Sequence, residues 1–139
     1  TQTNGIIFCY EMGGKLSVTL PSGRKLIYPS FKVRKLDKGY ELSYYGVDSL
    51  TRKWSLIRTY GARLVENIVQ GISRDLLAYS IELLKNEKIC ASVHDELIIE
   101  AEADESVEKI CKLMATVPEW ANGLILRADG YETSYYRKD

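Results

Sequence analysis

From Ala62 to Leu84 the apolar residues Leu64, Val65, Ile68, Val69, Ile72, Leu76, Tyr79 and Leu83 recur at three- and four-residue steps. That period predicts an amphipathic helix, opened by Gly61 and ended near Asn86. Its flanks predict strands. Ahead of it, Lys15 to Leu20 alternates, Pro21-Ser22-Gly23 turns, and Arg24 to Pro29 returns as a hairpin. A second hairpin pairs Phe31–Leu36 with Tyr40–Tyr45 about Asp37-Lys38-Gly39, and Trp54–Tyr60 is a further strand or an extended link. Behind it, Ile89-Cys90-Ala91-Ser92-Val93 and Leu97-Ile98-Ile99 form another hairpin. Asp104-Glu105 then caps a shorter helix with Val107, Ile110, Cys111 and Met114 inward and Pro118 beyond its end. A final strand, Leu124–Ala128, precedes an exposed tail from Tyr131 to Asp139. The order predicts an α+β fold with an antiparallel β-sheet, one long helix and one shorter helix. It divides into a β-rich region 1–60 and a helix–hairpin–helix–strand region 61–139, joined in one compact unit.

The hairpin behind the long helix turns on His94-Asp95-Glu96, where tight turns ordinarily take Gly, Asn or Pro. Two carboxylates and the chain's single histidine cost stability there through like-charge repulsion and poor turn propensity. Local rules broken without compensation mark functional sites. Paired carboxylates suit a hard cation bound through oxygen, Mg²⁺ or Mn²⁺. The plainer reading is a solvated charged tip.

A second pattern lies on the long helix. Arg63, Asn67, Gln70 and Arg74 fall at steps of four, three and four, within about 60° of its circumference, opposite the apolar set. A solvated face is usually rich in Lys and Glu with ion pairs one turn apart. Two guanidiniums flanking two amides, with Glu66 at the margin, suit phosphates and base edges instead. An ordinary polar face is the alternative for this stripe alone. Coupled to a cation-binding turn, it suggests a polymerase-like site.

Composition narrows the classes. The 139 residues carry nineteen basic and nineteen acidic side chains, so no global basic field announces nucleic acid, and any polyanion contact is local. Arg24, Lys25, Lys32, Arg34, Lys35 and Lys38 lie early; Glu96, Glu100, Glu102, Asp104, Glu105 and Glu108 lie late. Arg52 and Lys53 read as solvated basic residues, with backbone-phosphate contact as the other option. Cys9, Cys90 and Cys111 are odd in number and set in apolar runs, so they are expected to be small buried hydrophobes in a reducing compartment. No apolar stretch reaches membrane-span length and no signal peptide is visible, which predicts a cytoplasmic protein without membrane partners.

The run Tyr60 to Leu77, followed by Ser92-Val93-His94-Asp95-Glu96-Leu97-Ile98-Ile99-Glu100, resembles the C-terminal part of family A DNA polymerases, the bacterial DNA polymerase I relatives, and most nearly their phage-encoded branch. Leu20 to Pro29, Thr51-Arg52-Lys53-Trp54 and Ala128 to Thr133 are similar to that branch too. The resemblance implies a palm fold in which Asp95 is a ligand of the catalytic Mg²⁺ or Mn²⁺ ions and Glu96 its accessory carboxylate. His94 would contact the terminal primer nucleotide. Arg63, Asn67, Gln70 and Arg74 would face primer–template DNA. The implied chemistry is two-metal nucleotidyl transfer from a deoxynucleoside triphosphate.

Departures from the family are specific. The strand Asp-Tyr-Ser-x-Ile-Glu, which supplies the second catalytic aspartate, has no counterpart, and neither has the fingers helix. Asp37, Asp48, Asp75 and Asp104 offer no substitute. The Asn67–Gln70 spacing is one residue shorter than in the bacterial enzymes. The chain is therefore expected to be a palm fragment, inactive alone, that needs a complementary polymerase chain or associates with itself. Rival readings are a non-catalytic nucleic-acid-binding module and an idle remnant.

Overall fold

The computed structural model describes residues 1–102 and 105–136. It is α+β with three antiparallel sheets and two helices. Its contacts divide it into two compact units, Thr1–Ile72 and Ser73–Asp139, with the division inside the long helix and not at the 60/61 boundary suggested by the sequence.

The first unit opens with strands β1 (Gln2–Thr3), β2 (Ile6–Glu11), β3 (Lys15–Thr19) and β4 (Lys25–Tyr28), paired in that order. Asn4 and Gly5, at φ 46° and 75°, make the two-residue turn between β1 and β2. Both left-handed positions suit the Asn-Gly pair. Strands β5 (Lys32–Lys35), β6 (Tyr40–Val47) and β7 (Trp54–Thr59) form a second sheet. The hairpins expected about Pro21-Ser22-Gly23 and Asp37-Lys38-Gly39 are both present, and Trp54–Thr59 is a paired strand. Val18, Leu20, Tyr28, Phe31 and Ile68 form the buried core, with Leu16, Leu42, Tyr44, Leu64 and Ile72 packed against it.

The long helix, α1 (Gly61–Leu83), matches its predicted span within a residue at each end. Its inward positions do not all match. Val65 and Val69 are more than half exposed. In the first unit Leu64, Ile68 and Ile72 face the core, whereas Leu77 and Leu84 are buried in the second. A single apolar stripe therefore misassigns the valines.

Gly71 explains how closely α1 lies on the β3–β4 hairpin. A Cβ there would sit 2.9 Å from Leu20 Cδ1 and 3.3 Å from Arg24 Nη2. Arg24 also donates from Nη2 to the Gly71 carbonyl at 2.7 Å. Glycine in a helix interior costs about 1 kcal/mol relative to alanine; here that cost is offset by close packing.

The second unit holds β8 (Lys88–Val93), β9 (Glu96–Glu100), α2 (Val107–Met114) and a 3₁₀ turn at Glu119–Ala121. β8 and β9 form a two-stranded sheet of their own, with a bulge at Cys90. Ser80 donates to the Met114 carbonyl at 3.2 Å and joins α1 to the end of α2. Ser106, not Asp104-Glu105, caps α2: its side chain accepts from the Lys109 amide. Asp104 lies outside the described residues, as do 137–139 of the tail. Val107, Ile110, Cys111 and Met114 are half-buried.

Two further expectations are corrected. Leu124–Ala128 is not a strand; no strand among the described residues pairs with it, and Leu124 and Ile125 are exposed. The cysteines are free, but Cys9 and Cys90 are exposed and only Cys111 is half-buried. Alternation along β2 turns Cys9 away from the packed face, whereas Cys90 sits at the bulge that interrupts the β8 pairing. Among the described residues no helix is long and apolar enough to cross a membrane.

The Gly71 contact yields a prediction. Gly71→Val adds atoms where Leu20 is fully buried and should cost roughly 1–3 kcal/mol in urea unfolding, whereas Gly123→Val, which meets no atom within 4 Å, pays only its backbone strain.

Candidate nucleic-acid and metal-binding residues

The acidic hairpin is tighter than its sequence implies. Val93 pairs with Glu96, so the turn consists of His94 and Asp95 alone and Glu96 is the first residue of β9. His94 takes φ 55°. A left-handed histidine costs about 1–2 kcal/mol relative to glycine, and strain of this kind concentrates at functional sites. His94, Asp95 and Glu96 are all exposed. The two carboxylates are hard oxygen donors of the type Mg²⁺ prefers. They do not complete a site: among the described residues no group of three or more His, Cys, Asp or Glu side chains could hold a metal ion. The donor set of the described residues does not fit a catalytic metal by itself.

One neighbour of the turn has no signal in the sequence. The Tyr136 hydroxyl is held above its ordinary value, first by loss of solvent and then by the negative Glu96, whose carboxylate accepts its hydrogen bond. Forty residues separate the two, and no periodicity or motif connects them.

The helical stripe divides by environment. Arg63 and Gln70 are exposed and converge on one carboxylate: Gln70 Nε2 donates to Glu66 Oε1 at 3.2 Å, and Arg63 Nε lies 4.0 Å from Glu66 Oε2. Such an exposed ion pair contributes under about 1 kcal/mol, so both side chains are easily recruited by a ligand. Asn67 departs from the expected solvent-facing stripe. It is half-buried and donates from Nδ2 to the Tyr28 hydroxyl at 3.3 Å. Tyr28 also meets Tyr44 edge-on at 5.0 Å. Burial keeps the Tyr28 phenol above its usual value, with Asn67 pulling the other way. Asn67 thus braces the first unit's core. Arg74 is exposed and lies in the second unit.

The chain is similar to the DNA polymerase of Bacillus phage SP02, 41% identical over 141 aligned positions. The alignment covers 98% of this chain and 22% of that polymerase, so the chain spans about a fifth of its relative's length. No protein-family profile matches the chain, and no solved structure matches it.

Two measurements probe the turn. His94→Gly should raise stability: relief of about 1–2 kcal/mol of strain exceeds the added chain entropy of about 0.5–1 kcal/mol, and thermal unfolding reads the difference. Tyr136 should titrate above the ordinary phenol range. Because its folded value is raised, its contribution to stability is present below about pH 10 and fades as pH climbs through the folded value. An ultraviolet difference titration of wild type against Tyr136→Phe isolates it, and Glu96→Gln should move its midpoint down.

Proposed function

We propose that this chain is the C-terminal palm part of a family A DNA polymerase, presenting Asp95 and Glu96 as part of a divalent-cation site beside primer–template DNA. The observation that carries this reading is the 41% identity to a phage DNA polymerase along nearly the whole chain. In this chain the His94-Asp95 turn is strained and exposed, with Glu96 leading the return strand. A solvated tip with no task gains nothing from a left-handed histidine where glycine is cheaper.

On this reading Asp95 is a metal ligand, Glu96 its accessory carboxylate beside Tyr136, and His94 a contact to the primer end. Arg63, Gln70 and Arg74 reach the duplex. Asn67 braces Tyr28 and makes its contribution through the position of α1. The remaining cation ligands, and the groups that hold a deoxynucleoside triphosphate, come from polypeptide outside these 139 residues. A pair of carboxylates alone binds Mn²⁺ weakly, so the informative signal is Mn²⁺ affinity in the presence of DNA.

Calorimetric titration with Mn²⁺ should show binding strengthened by primer–template DNA in the wild type, with the DNA-dependent gain lost in Asp95→Ala. The same chain should not extend a primer. Metal-dependent nucleotide incorporation by the isolated polypeptide contradicts the predicted dependence on outside ligands. A DNA-dependent gain that survives Asp95→Ala removes Asp95 from the site.

A further inference from the structure

The zero net charge hides a strong polarity. Residues 1–72 carry eleven Lys and Arg against five Asp and Glu, a net of +6; residues 73–139 carry eight against fourteen, a net of −6. The positive unit also has an uncovered apolar sheet face. On the β5–β7 sheet, Leu42 and Tyr44 turn inward to the core. The opposite face bears two cross-strand pairs, Tyr45 with Leu56 and Val47 with Trp54. All four are exposed, Trp54 at 62% and Val47 at 58%.

Cations flank this apolar ladder at both ends. In the adjoining row across the sheet, Ser43 pairs with Lys32 on one side and Arg58 on the other. Successive rows on one face lie about 7 Å apart. Beyond the Trp54 end, Arg52 and Lys53 are exposed in a turn that Asp48 fastens. Asp48 Oδ1 accepts from the Leu50 and Thr51 amides and the Thr51 hydroxyl at 3.0, 2.7 and 3.0 Å. These bonds hold the Asp48 carboxyl below its usual value. Two carboxylates oppose the pattern: Glu41 lies 3.7 Å from Arg58, and Asp48 shares the turn of Arg52 and Lys53, its charge spent on that turn's own amides and hydroxyl.

We propose that the exposed face of the β5–β7 sheet binds single-stranded nucleic acid, with unpaired bases stacked on Trp54 and Tyr45 and backbone phosphates held by Lys32 and Arg58 at one end and by Arg52 and Lys53 at the other. An apolar partner protein would be served by the ladder alone, and the cations at its two ends would then be buried without compensation. A duplex offers phosphates but hides its base faces, so the aromatic rings would have no partner. A single strand satisfies both features, since every base has a face to stack and every link carries a charge. The proposal is independent of the cation-binding role of Asp95, and neither stands or falls with the other.

Fluorescence anisotropy with labelled oligo(dT) and oligo(rU) of roughly twelve nucleotides, a length typical of single-strand sites, tests it on the full chain. Both oligonucleotides should bind, because base stacking and phosphate contacts do not depend on the 2′-hydroxyl. Trp54→Ala should weaken binding roughly tenfold, and Trp54→Phe, which keeps a ring, should retain most of it. Lys32→Gln and Arg58→Gln should each reduce the salt dependence by about 0.7 in the log–log slope. Glu41→Gln should tighten binding by releasing Arg58, which a merely structural role would not produce. Far-ultraviolet circular dichroism verifies that each variant is folded. The proposal is overturned if neither oligonucleotide binds at low salt, or if folded Trp54→Ala binds as the wild type does. Equal affinity for a duplex of the same length also overturns it, as does sedimentation showing the face occupied by a second copy of the chain.

Discussion

The seating of α1 on the β3–β4 hairpin is the contact on which the first unit depends. Gly71 lets the helix approach Leu20 to within a distance no side chain would allow, and Arg24 fastens the same point through the Gly71 carbonyl. One turn away, Ile68 enters the core and Asn67 bonds Tyr28. These contacts fix the rotation of the helix about its axis. With Ile68 and Asn67 turned inward, Arg63, Glu66 and Gln70 are left outside, linked by two weak exposed contacts.

The charged turn obeys a different economy. Its residues do not contribute to the core, and the backbone strain at His94 is sustained by the β8–β9 ladder on either side. The two-residue turn places Asp95 at the tip while Glu96 already lies within β9, near enough to Tyr136 for its charge to raise that phenol. Adjacent carboxylates thereby occupy different positions, Asp95 in the turn and Glu96 at the head of the return strand.

Much of this was legible in the sequence where local chemistry and tertiary need agree. Pro21-Ser22-Gly23 and Asp37-Lys38-Gly39 announce their turns, and three- and four-residue spacing announces α1. The Asn4-Gly5 turn carried an equally plain signal, yet β1 is too short to show alternation. Spacing could not decide between the two sides of α1 for Val65 and Val69, because Leu64 and Ile68 serve the first unit while Leu77 and Leu84 serve the second. Leu124–Ala128 reads as a strand by composition, but a strand exists only if an edge accepts it, and among the described residues none does. In the candidate sites, the acidic tip was visible as broken turn chemistry. The bracing role of Asn67 was not, since an amide reads alike whether it faces solvent or a buried phenol. The aromatic and basic sheet face emerged only from register, which sets Trp54 beside Val47 and Lys32 beside Ser43.

Paramagnetic broadening by Mn²⁺ measures the central claim most directly. Amide resonances are recorded with substoichiometric Mn²⁺, with and without primer–template DNA. If the turn is part of a polymerase cation site, broadening centres on His94, Asp95 and Glu96 and sharpens in its localisation when DNA is added. Broadening that settles instead on the acidic stretch Glu100, Glu102 and Glu105, or that ignores DNA, contradicts the account.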